Sequence, residues 1–181
     1  MRPLADLSSP IGAARFDPEL GIWSAPVTVA SSGAPTHHLS FLSIATDGQG
    51  NAFGTWTANL PDTDEKAATA SRFDGTSNAW SVPYAFETRR SIVGTRAAMG
   101  TAGQGWALST QPNDSGAAEL TARELRADGS WSPAQVIGHG RISDAEANAQ
   151  GVVLVGAELA WYSSAQPMFA NAPAATFFVP R

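Results

Sequence analysis

One phrase recurs three times in this chain, and it restricts the available folds more than any other feature. It reads AARFDPELGIWSAP at 13–26, ASRFDGTSNAWSVP at 70–83 and TARELRADGSWSPA at 121–134. Each copy sets an Arg eight residues before a Trp, with Ser directly after the Trp: Arg15–Trp23, Arg72–Trp80 and Arg123–Trp131. The Trp-to-Trp periods are 57 and 51. Self-similarity at a period near fifty marks a repeat architecture, in which each unit buries its apolar faces against its neighbours.

A second phrase lies between these copies: IATDGQGNAFGTW at 44–56, MGTAGQGWALSTQ at 99–111 and AEANAQGVVLVGA at 145–157. Aligned on Gly50, Gly105 and Gly151, it places Trp106 opposite Asn51, so only Trp23, Trp80 and Trp131 are repeat positions. Each period divides into four short strands separated by Gly/Asp/Asn turns. Strand A covers 39–46, 93–99 and 141–146. Strand B follows the Gly turn. Strand C covers 67–73 and 118–125, and strand D starts at the repeated Trp. The proline in each D segment suits an edge strand, where a missing N–H costs little. DEKAATASRF is the best helical candidate, but its counterpart SSPIGAARF is a poor helix former.

These features define an all-β chain of β-propeller-type blades, each of four antiparallel strands, about three blades per chain. The whole of 1–181 reads as a single repeat domain: a C–D pair at 11–30, one repeat at 39–87, a second at 93–138 and a partial third at 141–181. The chain opens on a C–D pair that awaits its A–B partners. Completing the last unit with that pair gives three blades, whereas closed propellers have about four to eight. Self-association, as a homodimer closing a six-bladed ring, is therefore expected.

The D-x-x-G-N-A…W phrase followed by R-F-D…G-x-W-S-x-P-V resembles the repeats of bacterial sialidase-like and lectin-like propellers, over about Ile11 to Glu158. The resemblance implies a propeller fold and a carbohydrate-related role. RFDGTSNAW and RADGSW depart from the sialidase Asp-box, S-x-D-x-G-x-x-W, and a sialidase's Arg cluster and acidic partners match no positions here.

Composition narrows the function further. Hydrophobic residues make up 43% and charged residues 15%, with a net charge of −5, which gives no support for nucleic-acid binding. Ten of the eleven basic residues are Arg, the exception being Lys66. The absence of Cys excludes a disulfide framework, a thiolate zinc site and a cysteine nucleophile. No run of residues has the length and apolarity of a membrane-spanning helix, so membrane insertion is not expected. MRPLADLSSP lacks the apolar core of a secretory signal. The compartment is thus open; an extracellular, cell-surface or virion location is expected if a leader has been removed.

The connections between strands D and A differ from one another, yet all are basic: SSGAPTHHLS, ETRRSIVGT and GHGRIS. They hold His37, His38, Arg89, Arg90, His139 and Arg141, including every histidine of the chain. In a blade these connections cluster at one mouth of the central channel. Arg forks there would suit carboxylates, phosphates or acidic sugars; solvated loop charge is the plain alternative. The B–C connections lean acidic, with Asp62, Asp64, Glu65 and Asp114, but lack the spacing of a calcium loop. Adjacent His37 and His38 point to opposite sides of a strand, so no metal site is expected. Nucleophile-elbow, P-loop and H-E-x-x-H patterns are absent, and no cofactor is expected. The expected function is non-enzymatic recognition of a carbohydrate or other anionic surface ligand. The alternatives are a structural protein of a cell surface or virion, and a sialidase-like glycoside hydrolase.

Overall fold

The computed structural model describes residues 10–30, 39–60, 63–126, 128–148, 153–158 and 175–179. Among them the chain is all-β, antiparallel throughout, with no helix. The first copy of the repeated phrase pairs β1 (Ile11–Ala13) with β4 (Val27–Ala30) and ends in a hairpin tip, β2 (Phe16–Asp17) with β3 (Ile22–Trp23). Sheet 1 follows, with β5 (Leu39–Thr46), β6 (Ala52–Asn59) and β7 (Lys66–Asp74) in order. β7 pairs both the short β8 (Ala79–Trp80) and β9 (Tyr84–Arg89). Sheet 2 runs β10 (Gly94–Met99), β11 (Gly105–Pro112), β12 (Ala118–Leu125), β13 (Gln135–His139). Sheet 3 runs β14 (Arg141–Ala147), β15 (Val153–Glu158), β16 (Ala175–Val179).

Sheet 3 takes its third strand from β16, and among the described residues β1 and β4 pair only with each other. The N-terminal pair therefore does not complete the last unit here, and no closed ring forms among the described residues. Pro26, Pro83 and Pro133 stand just before β4, β9 and β13, each an edge strand, so their missing N–H groups break no ladder. The Ala-rich segment is strand β7. Its small side chains, with Ala68 and Ala70 fully buried, let a neighbouring sheet approach closely.

The sheets pack face to face, and the core sits between them. Phe53, Ala68, Ala70 and Phe86 of sheet 1 meet Ala97, Met99, Ala107 and Leu125 of sheet 2, with Ile92 from the connection. Trp106, Leu108 and Leu120 of sheet 2 meet Ile142, Ala145, Val153 and Val155 of sheet 3. Neighbouring sheets are also stitched by side-chain hydrogen bonds. Thr95 Oγ1 donates to the Phe41 carbonyl at 2.7 Å, and Ser43 Oγ accepts from Ala97 N at 3.1 Å. Arg96 Nε donates to the Ser143 carbonyl at 2.9 Å, and Thr110 Oγ1 accepts from Ile142 N at 3.0 Å. Phe41 holds φ at 53°, in the left-handed region disfavoured for a bulky residue, inside a register break between Ser40 and Ser43. That break presents its carbonyl to Thr95.

Candidate functional site

The repeated phrase folds into one device three times. Ser24, Ser81 and Ser132 each donate their backbone N–H to a strand-C carbonyl (Arg15, Arg72 and Glu124, at 2.8, 2.7 and 2.8 Å). Their hydroxyls accept the N–H of the same residues at 3.0, 3.0 and 2.9 Å. The Trp faces strand C directly: Trp23 opposite Phe16, Trp80 opposite Phe73, Trp131 opposite Leu125. Rings of the first two pairs are tilted at 5.4 and 5.5 Å. In the first two copies the Trp thus packs on the residue after the Arg; in the third, Trp131 faces Leu125, the second residue after Arg123.

Two sequence alignments shift in space. The third hairpin is one residue shorter, so Glu124, not Arg123, occupies the place of Arg15 and Arg72. Arg123 instead reaches Glu87 of sheet 1 at 3.9 Å. In the A–B turns, Phe53 pairs with Arg72 while Trp106 pairs with Glu124, and Ala52 with Phe73 while Gly105 pairs with Leu125. Trp106 therefore takes the place of Phe53, and Gly105 that of Ala52 rather than Gly50. Gly50 corresponds to Gly103, and the repeated Arg confirms it: Arg15 Nη2 lies beside Gly50, and Arg72 Nη2 beside Gly103.

The aspartates of these turns are structural. Asp17 Oδ1 accepts from Glu19 N and Leu20 N, and Asp74 Oδ1 from Thr76 N and Ser77 N. Asp128 Oδ1 accepts from Ser130 N and Oγ. The Ser77 and Thr76 N–H groups hold the Asp74 carboxyl below its usual range, and Ser130 does the same for Asp128. Asp47 is buried, which alone pushes its carboxyl up. Bonds from the Asn51 side chain and the Gln49 and Asn51 backbone outweigh that and hold it low. Asn51 Oδ1 in turn accepts from Gly75 N at 2.9 Å, tying the A–B turn to the C–D turn.

The basic D–A residues lie at strand ends. Arg89 closes β9 and turns back on Glu87 at 3.2 Å. Arg90 follows it and is exposed. His139 closes β13 and Arg141 opens β14, both exposed, on either side of Gly140. Among the described residues no hydrogen bond or ion pair links Arg89 or Arg90 to His139 or Arg141. His37, His38 and Asp62 lie outside the described residues. No group of three His, Asp or Glu converges as metal ligands among the described residues.

A feature that residue types alone did not reveal is a cleft of about 390 Å³ between the N-terminal pair and sheet 1. Its walls include Ala13, Phe16, Val27, Ile44, Phe73 and Trp80, with Arg15 and Asn51 at the turn end. Its walls on one side come from β1 and β4, which among the described residues pair only with each other.

No family model matches this chain, and no curated protein does. Solved structures do match. One is a Hadza microbial sialidase, Hz136, with a TM-score of 0.57 at 12% identity over 83% of this chain. The match covers 36% of that sialidase, so this chain spans about a third of its length. The likeness is one of fold.

Proposed function

We propose that the sheets are blades of a propeller-type array and that the chain is a non-enzymatic recognition module for a carbohydrate or other anionic ligand. Arg89, Arg90, His139 and Arg141, with His37 and His38, are its proposed contacts. The observation that carries this reading is the exposure of basic side chains at the ends of consecutive D strands on a chain of net charge −5. Arg89 is shared with Glu87, whereas Arg90 and Arg141 have no carboxylate partner among the described residues. Free guanidinium forks suit planar anionic groups. A fold shared with a protein named as a sialidase supports carbohydrate as the ligand class.

The test is a glycan array of acidic and neutral sugars, followed by titration of any hit against Arg90→Ala/Arg141→Ala. Each lost charge-assisted bond should weaken binding by about tenfold or more. Affinity unchanged in the double variant overturns the assignment of these residues. Turnover of a fluorogenic sialoside overturns the non-enzymatic reading in favour of a glycoside hydrolase.

A further inference from the structure

The cleft beside β1 has a counterpart inside the same molecule. Ladder register sets the equivalence. Ala13 opposes Val27 as Ala70 opposes Tyr84, each three residues before the strand-C residue that faces the repeated Trp. Along the cleft walls, Ala13, Val27, Phe73 and Trp80 are thus the equivalents of Ala70, Tyr84, Leu125 and Trp131. Those four meet at the junction of sheets 1 and 2, where Ala70 and Leu125 are core and Trp131 stacks on Tyr84 at 5.2 Å. Ile44 of the cleft corresponds to Ala97, also core there.

One component of that junction has no equivalent at the cleft: the β5–β6 hairpin. It contributes Phe53, fully buried against Trp131, and the half-buried Ala45. The Phe53 ring lies on Gly105, whose counterpart Ala52 lines the cleft. The edge of β7 that receives β6 corresponds to the edge of β1 that has no partner among the described residues. Ile44 and Val27, facing this gap, remain 61% and 52% exposed.

We infer that the cleft and the free edge of β1 form an acceptor site for a β-hairpin of the chain's own A–B kind. The hairpin would pair along β1 and set an aromatic side chain in the place of Phe53, against Trp80. Strand addition of this kind satisfies the unpaired backbone of the edge and fills alternate pockets with side chains. The donor must come from elsewhere than the three hairpins already described. β5–β6, β10–β11 and β14–β15 are each paired in their own sheets. This inference does not depend on the anion-binding reading, which concerns other residues.

The probe is a synthetic peptide of residues 39–60, offered to the full chain. Calorimetry should show saturable one-to-one binding, and hydrogen exchange should slow at Ile11–Ala13. Phe53→Asp in the peptide, or Val27→Lys or Ile44→Lys in the chain, should weaken binding by about tenfold or more. Because the free peptide is only marginally structured, a second arm fuses the same segment to the N-terminus through a Gly/Ser linker. That fusion should raise Tm, and its Phe53→Asp version should not. Absence of both binding and a Tm rise overturns the inference, as does binding that Val27→Lys and Ile44→Lys leave unchanged. A homodimer of the full chain that Ile44→Lys dissociates also overturns it, because a second copy then covers the cleft. So does protection of Ile11–Ala13 by an acidic sugar in place of the peptide.

Discussion

Gly75→Ala tests whether the A–B and C–D turns of sheet 1 are locked together. A Cβ on Gly75 would stand 2.5 Å from the Gly50 carbonyl oxygen and 2.8 Å from its carbon. Both are backbone atoms, so no rotamer change relieves the overlap. Ordinary contact needs about 3.5 Å, and the A–B turn must retreat by most of the difference. That movement pulls Asn51 Oδ1 away from Gly75 N, now 2.9 Å apart. Overpacking costs about 1–3 kcal/mol and the lost hydrogen bond about 1 kcal/mol, together about 2–4 kcal/mol. Gly116→Ala is the reference. It sits at φ +80° with nothing within 4 Å of an added Cβ, so it carries only the left-handed penalty of about 1–2 kcal/mol. Urea unfolding followed by Trp fluorescence, with the denaturant slope compared between variants, reads both. In an Asn51→Ala background the Gly75→Ala cost should fall by about 1 kcal/mol, since that bond is already gone. If Gly75→Ala costs no more than Gly116→Ala, or shows no coupling to Asn51, the turns are not locked as described.

Asp47 has a depressed carboxyl, so its contribution is present above the unfolded carboxylate range and is lost as pH falls through its native value. Asp47→Asn should lower neutral-pH stability and flatten the acid limb of a Tm-versus-pH curve. Phe53→Ala empties a fully buried site and should cost about 3–5 kcal/mol in urea unfolding, whereas Trp23→Ala, 67% exposed, should stay within about 0.5 kcal/mol. Ser81→Ala removes the acceptor for Arg72 N and the 3.3 Å hydroxyl contact with Ser71, while the Ser71 hydroxyl keeps its bond to the Ser81 carbonyl, at a cost of about 1–2 kcal/mol. Ser24→Ala should cost less by the same assay, because its site is exposed.

The strands were legible because period-two patterning, Gly/Asp turns and the Trp-Ser phrase are local signals. β5 to β7 and β10 to β13 fall close to where turn chemistry places them. Register was not legible. Arg123 stands eight residues before Trp131, as Arg15 and Arg72 stand before their own Trp, and only the ladder shows a shorter hairpin putting Glu124 in that place. One residue gained or lost in a turn moves every following side chain to the other face. The basic D–A residues were legible as strand-end charge. The partner of Arg89 was within reach of the same local signal, because Glu87 lies two residues back on the same strand and strand geometry brings the two to one face.

The repeat also limits what an aromatic residue says about function. Trp23, Trp80 and Trp131 hold equivalent places, yet Trp23 is 67% exposed while the other two are half-buried. What differs is the neighbour each one meets. Trp131 meets Tyr84, Phe86 and Phe53 of sheet 1. Trp80 meets Val27 across a cleft, and no sheet precedes Trp23 among the described residues. An exposed repeat aromatic is therefore first a packing surface, and a sugar platform only if a ligand competes with polypeptide for it. Residues outside the repeat carry no such packing duty. A small ligand is accordingly sought at the unlike basic strand ends, and a polypeptide at the apolar places the repeat leaves open.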